Sequence, residues 1–457
     1  MQDLTTGSVS RHLLKTTGFM LVTMVAQTLY FLIDLYWVGR LGTDAVAAVG
    51  IGGNLTFIVL ALTQMLGVGT TTVVSHAVGR KDHDEALLLF NQSQVLAIVT
   101  GVVFLIVGMI GRVPYSNAMS ADAATAKLAA EYLLWFIPAM ALQFLLVAMG
   151  SALRAVGNFK PGMIVSTATV IINMILAPFL IFGWVTGMAF GVAGAAISSL
   201  IAIIIAIIWL AKYFLPADAY LRFVTADWGP RVHMWKKMLG IGLPAGFDFI
   251  ITAIYLVIVY AITRPFGAAA QAGFGIGMRI VQAGFMPVVA LGFAVAPVAG
   301  QNFGAREGER VRATFKDGAM MAGGIMLVFG VLCYFLRNEL VGIFTNDPAA
   351  IAVGAEYLSI VAFTFVPSGI IFVSSSMFQA MGNTIPSLVT SAVRVLLVAI
   401  PAVFLARMPN FQLIWIWYLS LGSVLVQLAI SLLLLRREYR RRLNFEEPPQ
   451  SLPATAA

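Results

Sequence analysis

The chain carries very little charge for its length: only 11% of its 457 residues are Asp, Glu, Lys or Arg, whereas 60% are hydrophobic. Soluble globular domains carry about 25% charged residues, so this composition excludes that class. Cysteine occurs once, at Cys333, which excludes an internal disulfide and leaves no basis for a dithiol redox site. The four histidines, at 12, 76, 83 and 233, are too dispersed for a metal-ligand motif, so we expect no metal site.

The sequence also lacks the short motifs of common enzymes. It contains no phosphate-binding loop, no H-E-x-x-H zinc motif and no G-x-S-x-G nucleophile motif. We therefore expect no enzyme activity, no energising by ATP and no cofactor. The net charge of +8 is better explained by basic loops at a membrane surface than by nucleic acid binding, so we expect no nucleic acid partner.

Apolar stretches of about 20 residues recur along the whole chain, each long enough to cross a bilayer as a helix. The mean hydropathy is +0.93. We predict an all-α polytopic membrane protein with twelve transmembrane helices. They are placed near 13–38, 52–77, 86–111, 128–151, 161–183, 191–213, 239–263, 272–300, 317–336, 352–378, 387–406 and 412–435.

The sequence matches itself when it is shifted by 225 residues. "GIG" at 50–52 falls on "GIG" at 275–277, and "AVGNFKP" at 155–161 falls on "AMGNTIP" at 380–386. Because six helices per copy is an even number, the two six-helix lobes enter the membrane in the same sense and form a parallel pseudo-two-fold duplication. The predicted boundaries are an N-terminal lobe at 1–213, a cytoplasmic linker at 214–238, a C-terminal lobe at 239–442 and a disordered cytoplasmic tail at 443–457.

Lysine and arginine are unequally distributed between the two sides of the predicted helices. Of the 28, 20 fall on the side of both termini, six on the other side and two within helices; the 20 include Arg154, placed in the loop after the fourth helix. Basic loops stay in the cytoplasm, so we expect a multi-pass protein of the inner (plasma) membrane with both termini cytoplasmic. The arginines of "RREYRRR" at 436–442 suit anionic headgroups, so membrane lipids are expected partners, and we expect a monomer.

Charged residues inside the apolar spans are Asp34, Asp248, Arg279 and Arg394. Exposing a charge to lipid costs at least a few kcal/mol, which makes each of them a functional candidate. Asp248 and Arg394 lie at similar depth in the seventh and eleventh helices, where they could form a charge pair; functional and structural roles both remain open. Arg279 lies near a helix end, where its long side chain can reach the interface.

Asp34 lies in the outer half of the first helix, where its carboxylate could bind a proton, Na⁺ or an organic cation. Its helical face is polar, aromatic and rich in methionine, which suits a water-accessible cavity better than lipid. The alternative is an interfacial aspartate paired with a neighbour. The residues predicted to line the substrate cavity are Met20, Met24, Gln27, Tyr30, Phe31 and Trp37.

The duplicated plan and several motifs resemble the multidrug and toxic compound extrusion (MATE) family over about residues 10–440. The motifs are "DLYWVGRLG", "VVSHAVGRKD", "RAVGNFKP", "GVAGAAISS" and "GLPAG". The resemblance implies export of cationic amphiphilic compounds driven by H⁺ or Na⁺, with Asp34 as the coupling residue and Asn173 of the fifth helix beside it. From the residues alone, Asn173 could equally be an interhelical hydrogen-bonding amide.

The chain departs from the family in three places. Ala177 stands where many members have a second aspartate, the first helix has no proline, and Thr252 replaces a glutamate of the C-terminal lobe. Na⁺ prefers several hard oxygen ligands, so a lone carboxylate in the N-terminal lobe favours H⁺.

The resulting hypothesis is a proton-coupled antiporter that exports small organic cations or amphiphiles by alternating access. A Na⁺-coupled drug antiporter is the nearest alternative. A flippase for lipids or lipid-linked sugars would require a strongly cationic cavity. A membrane receptor or scaffold would show no gradient-driven flux.

Overall fold

The computed structural model describes residues 2–184 and 187–445, apart from the side chain of Phe31. Residues 446–457, most of the predicted disordered tail, lie outside the described residues. The helices are α1 (Val9–Gly39), α2 (Thr43–Gly79), α3 (His83–Met119), α4 (Ala123–Ala155), α5 (Lys160–Phe182), α6 (Gly191–Ala211), α7 (Val232–Thr263), α8 (Ala268–Gly304), α9 (Gly308–Phe335), α10 (Arg337–Gly342), α11 (Pro348–Val361), α12 (Phe365–Ala380), α13 (Ile385–Leu405) and α14 (Ile414–Arg442).

These helices provide 12 membrane-spanning segments in the part of the chain that the structure describes, which confirms the predicted all-α fold. The tenth span consists of α11 and α12, joined by a 3₁₀ turn at Ala362–Thr364. Several helices extend beyond their predicted apolar stretches. The second begins at Thr43 rather than at 52, because its first two turns contain helix-favouring alanines that contribute little hydropathy.

The internal duplication is visible in the backbone. Left-handed conformations recur 225 residues apart at helix-connecting turns, in the pairs Gly42 with Gly267, Lys81 with Arg306, and Gly157 with Gly382. A Cβ added at Gly52 would lie 2.5 Å from the ring of Tyr132. The equivalent Gly277 stands at the same 2.5 Å from the ring of Tyr357. The two lobes, α1–α6 and α7–α14, therefore repeat both their turns and their packing.

The lobes meet mainly through α2 against α7 and α1 against α8. One of their tightest approaches is at the end of the molecule that carries both termini, which we call the terminal end. There a Cβ on Gly79 would lie 2.0 Å from the backbone oxygen of Gln301, and one on Gly304 would lie 2.3 Å from that of His76. Helices come this close only where glycine removes the side chain. The lobes are thus closed against each other at the terminal end.

The opposite end, which we call the far end, is built differently. Its buried cluster of described residues, which includes Val38, Ile51 and Tyr132, belongs to the N-terminal lobe alone. The cluster that includes Met238 of α7 and Val74 of α2, by contrast, joins both lobes nearer the terminal end. The lobes therefore share buried apolar residues towards the terminal end, whereas this far-end cluster is not shared between them.

The first residues of the chain add to this closure. Leu4 is completely buried, and its backbone N–H donates to the Gln301 side-chain oxygen at 3.0 Å. The Gln301 amide in turn donates to the backbone oxygen of Ala155 at 2.7 Å. A single glutamine of α8, in the C-terminal lobe, thus binds both the N-terminal segment and the end of α4 in the N-terminal lobe.

The linker between the lobes is ordered by two fully buried polar residues of α3. Asn91 accepts the backbone N–H of Val224 at 3.0 Å and the indole N–H of Trp228 at 2.9 Å. Gln92 donates to the backbone oxygens of Asp227 at 2.6 Å and Gly229 at 2.7 Å. Buried backbone groups require such partners, so the linker is fixed although it forms little regular structure.

Candidate functional site

A cavity with a volume of about 390 Å³ lies in the N-terminal lobe and along its contact with the C-terminal lobe. This size suits a drug-sized organic molecule. Four of the residues predicted to line a cavity do so: Met20, Met24, Gln27 and Tyr30. They occupy one face of α1, because steps of three and four residues recur on one side of a helix. The side chain of Phe31, predicted with them, lies outside the described residues.

Asp34 continues this face one turn beyond Tyr30. It is not among the described residues that line the cavity, and it lies close to the helix end at Gly39. One carboxylate oxygen, Oδ1, is buried and has no hydrogen-bond partner among the described residues. A buried acceptor without a partner is costly, and a proton on the carboxyl group relieves much of that cost. The position of Asp34 therefore favours a group that gains and loses a proton.

Tyr30 connects the cavity with a polar network across three helices. Its hydroxyl donates to Ser199 of α6 at 2.5 Å and accepts from the side-chain amide of Asn173 of α5 at 3.5 Å. Asn173 is completely buried and also donates to the Ser198 hydroxyl at 3.2 Å. The structure thus brings the predicted Asn173 to the cavity-lining Tyr30, one helical turn from Asp34.

Trp37 lies elsewhere. Its ring packs edge-on against Phe182 at a centroid distance of 6.2 Å and against Trp184 at 5.7 Å. The guanidinium carbon of Arg40 lies 5.5 Å from the Trp37 ring. Trp37 therefore belongs to an aromatic cluster at the far end, outside the described lining of the cavity. Trp37 lies on the predicted helical face, but about two turns beyond Tyr30, the last described residue of α1 that lines the cavity.

Asp248 and Arg394 occupy the interior of the C-terminal lobe without a direct ion pair. No carboxylate oxygen of Asp248 lies within 4.0 Å of an Arg394 guanidinium nitrogen, although the structure describes both residues. The Arg394 guanidinium carbon instead lies 5.0 Å from the ring centre of Tyr255. Asp248 Oδ1 and Arg394 Nε are both buried without hydrogen-bond partners. The predicted pair is thus corrected in its geometry: the two groups make no direct ion pair, although the guanidinium still acts electrostatically on the carboxylate, and the arginine lies over an aromatic ring.

Arg154 is the functional candidate that sequence reasoning missed. It was placed in a loop, but α4 extends to Ala155, and Arg154 lines the cavity at its terminal end. It is the only charged residue among the described residues that line this cavity. The sequence did contain a signal, which is a helical spacing with steps of four, three and four residues that ends at Arg154. The structure shows that all the residues of this series line the cavity: Gln143, Val147, Gly150 and Arg154.

Two six-helix lobes that enclose an organic-sized cavity, with almost no mass outside the membrane spans, define a membrane transporter. Comparison with known proteins gives the family. The family model MatE matches residues 20–179 and 244–405, one match in each lobe. The chain belongs to the MATE family of multidrug efflux transporters.

Relatives agree with this assignment, and solved structures share the fold. The multidrug export protein MepA of Staphylococcus aureus (strain N315) is 25% identical over 423 residues, which cover 91% of each chain. An FAD transporter of Shewanella oneidensis is 24% identical over 376 residues, covering 81% of this chain and 82% of the relative. A multidrug resistance MATE family transporter solved in an outward-facing conformation superposes with a TM-score of 0.88 at 23% identity, covering 97% of this chain and 98% of the other.

Proposed function

We propose that this transporter is an antiporter that exports amphiphilic organic compounds in exchange for protons. The observation that carries the proposal is the unpartnered, buried carboxylate oxygen of Asp34, one turn from the cavity-lining Tyr30. Protonation removes the charge of Asp34 and supplies a hydrogen-bond donor in its place. Tyr30, one turn away on the cavity wall, then faces a neutral carboxyl group instead of a negative charge, so that the state of Asp34 alters the wall of the cavity.

Alternating access gives this proton exchange a direction. With the termini in the cytoplasm, as the distribution of lysine and arginine favours, closure at the terminal end makes this the outward-facing state. Protons from the outside reach Asp34 near the far end, and the substrate leaves on the same side. Rocking of the lobes then exposes the cavity and the carboxyl group to the cytoplasm, where the proton dissociates.

H⁺ is favoured over Na⁺ by the surroundings of Asp34. On the fifth helix, Ala177 is fully buried and has no side-chain oxygen, at the position where the family resemblance implies a second aspartate. Na⁺ as the coupling ion would require several oxygen ligands around the ion. A single carboxyl group is sufficient to carry a proton.

The charge of the substrate is a separate question. The cationic substrate expected from the sequence depends on Asp34, because the described lining of the cavity contains no aspartate or glutamate. One relative is an FAD transporter, and FAD bears phosphate groups. We therefore propose amphiphilic organic substrates without restricting them to cations.

The test is transport into proteoliposomes under an imposed pH gradient, with and without a Na⁺ gradient. Ethidium serves as a cationic probe and flavin mononucleotide (FMN) as an anionic one. We expect the pH gradient alone to drive at least one probe, and Asp34→Asn to reduce that flux at least tenfold. Asp44→Asn, at an exposed aspartate of α2, is the matched control and should transport like the wild type. Undiminished pH-driven flux in Asp34→Asn, or flux driven by Na⁺ alone, would refute the proposal.

A further inference from the structure

The cavity has an unusual charge for a cation exporter. Its described lining contains five glutamine and asparagine side chains and several threonines, but the only formal charge is the guanidinium of Arg154. Asp34, the functional candidate of opposite sign in the same lobe, lies near the far end of α1, whereas Arg154 lies in the last turn of α4 at the terminal end. The two charges are therefore at opposite ends of the lobe, and the terminal end of the cavity is positive.

The charge of Arg154 is not neutralised by the protein. Its guanidinium donates to the Ser151 hydroxyl at 2.7 Å, and its Cζ lies 5.6 Å from the ring centre of Phe293 in the other lobe. Among the described residues, no carboxylate oxygen lies within 4.0 Å of it. A guanidinium has five N–H donors, and a bidentate acid group is the partner that fits its planar fork best.

A purely structural role explains only part of this arrangement. A cation is favoured at the C-terminal end of a helix, and the ring of Phe293 attracts it further. An arginine that points towards water or lipid headgroups would gain the same two stabilising interactions. They do not account for a guanidinium directed into an organic-sized cavity without a counter-ion. The missing partner is most simply an acidic group supplied by the ligand.

The neighbours of Arg154 suit such a ligand. Asn158 and Gln379 line the same end of the cavity and carry amide donors. Further along, Met20, Met24 and Met140 provide an apolar and adaptable wall. A molecule with an acidic group at one end and a flat or apolar body would therefore place its charge on Arg154 and its body against the methionines.

We propose that Arg154 binds the phosphate or carboxylate group of an amphiphilic substrate in this cavity. The proposal depends on the cavity being the transport site, as proposed above, and it narrows the substrate class to compounds that carry an acidic group. Binding of this kind requires no counter-ion from the protein, because the acidic group of the ligand itself neutralises the guanidinium of Arg154.

FMN and riboflavin form a matched pair of probes. They share the ring system and the ribityl chain and differ only in the phosphate group, and both are water-soluble and fluorescent. Binding to the purified full-length protein in a neutral detergent is followed by flavin fluorescence anisotropy. A charged hydrogen-bonded contact corresponds to on the order of tenfold in affinity or more, so FMN should bind about tenfold tighter than riboflavin.

Arg154→Gln should lower FMN affinity to that of riboflavin and leave riboflavin affinity within about twofold of the wild type. Arg154→Lys keeps the charge but loses the planar fork, so it should retain part of the FMN preference. Arg40→Gln, which removes an exposed arginine outside the cavity, should behave like the wild type. Size-exclusion profiles establish that each variant is folded.

Three outcomes would overturn the proposal. The first is FMN binding to the wild type that is no tighter than riboflavin binding or is not measurable, and the second is an equal loss of affinity for both flavins in Arg154→Gln. The third is a wild-type preference for ethidium over FMN that Arg154→Gln does not change. The source of the acidic group is resolved in nanodiscs. If a lipid headgroup is the natural ligand, phosphatidylglycerol should weaken FMN binding to the wild type relative to phosphatidylcholine. If the ligand is a free solute, the two lipids should give equal FMN affinity.

This binding test is separate from the test of proton coupling. No gradient is applied, so Asp34→Asn should retain the FMN preference even though its pH-driven flux is lost. Loss of the preference in Arg154→Gln together with normal coupling of the wild type supports both proposals. An absent preference together with Asp34-dependent flux refutes only the role of Arg154.

Discussion

The closure of the two lobes can be tested by adding one methyl group at Gly79. This residue lies on α2, and the Cβ of an alanine there would stand 2.0 Å from the backbone oxygen of Gln301 on α8. Real Cβ atoms essentially never approach a neighbour closer than 3.0 Å. The two helices must therefore separate locally by about 1 Å, because a backbone oxygen, unlike a flexible side chain, cannot rotate away.

The energetic cost falls on the state that is closed at the terminal end. Overpacking of this kind costs about 1–3 kcal/mol. The open state at this end does not bear that cost, so Gly79→Ala should shift the equilibrium towards it by about 5-fold to 150-fold. Gly53→Ala on the same helix is the matched control, since a Cβ at Gly53 would meet nothing within 4 Å.

Distances between spin labels report this shift directly. We would place labels at Asp84 and Glu309, exposed residues in the first turns of α3 and α9, and replace the buried Cys333 by alanine. Double electron–electron resonance should show a longer-distance population in Gly79→Ala that is absent or minor in the wild type and in Gly53→Ala. Identical distance distributions for all three proteins would refute the assignment of this contact as the closed gate.

Two further predictions concern the terminal and far ends. Gln301→Leu leaves the Leu4 N–H and the Ala155 carbonyl without their hydrogen-bond partner, which costs about 1–3 kcal/mol for each buried group. Residues 2–8 should therefore exchange amide hydrogens faster, and the protein should unfold at a lower temperature. Gln271→Leu, at the far end of the same helix, should have little effect, and equal behaviour of the two variants would contradict the prediction. At the start of α4, the Thr125 backbone N–H and hydroxyl donate to Asp122 and lower the pKa of its carboxyl group. The stabilisation by Asp122 is therefore present above the ordinary aspartate pKa of about 3.9 and is lost as the pH falls through the lowered value. Asp122→Ala should raise the rate of amide hydrogen exchange of residues 122–128 near neutral pH. The difference from the wild type should disappear at a pH below the lowered pKa of Asp122. A difference that persists at that pH would show that the carboxylate is not responsible.

The sequence by itself determined the class of fold, the number of spans and the duplication. Hydropathy and repeat spacing are properties of local sequence, and a helix in a bilayer must satisfy its backbone hydrogen bonds within itself whatever its neighbours are. The helical period likewise predicted that Met20, Met24, Gln27 and Tyr30 share a face, and the structure places all four on the cavity wall. Periodicity was sufficient because all four residues belong to one helix, α1.

Only the tertiary structure decided which parts of each face line the cavity, because periodicity gives neither the rotation of a helix against its neighbours nor the depth of a cavity. Trp37 continues the predicted face but packs against Phe182 and Trp184. Arg394 lies over Tyr255 and makes no direct ion pair with Asp248. Arg154 was assigned to a loop because the apolar stretch ends before it, yet α4 extends past that stretch and directs the guanidinium into the cavity. Composition fixes how many helices form, whereas packing between them fixes where each charge lies.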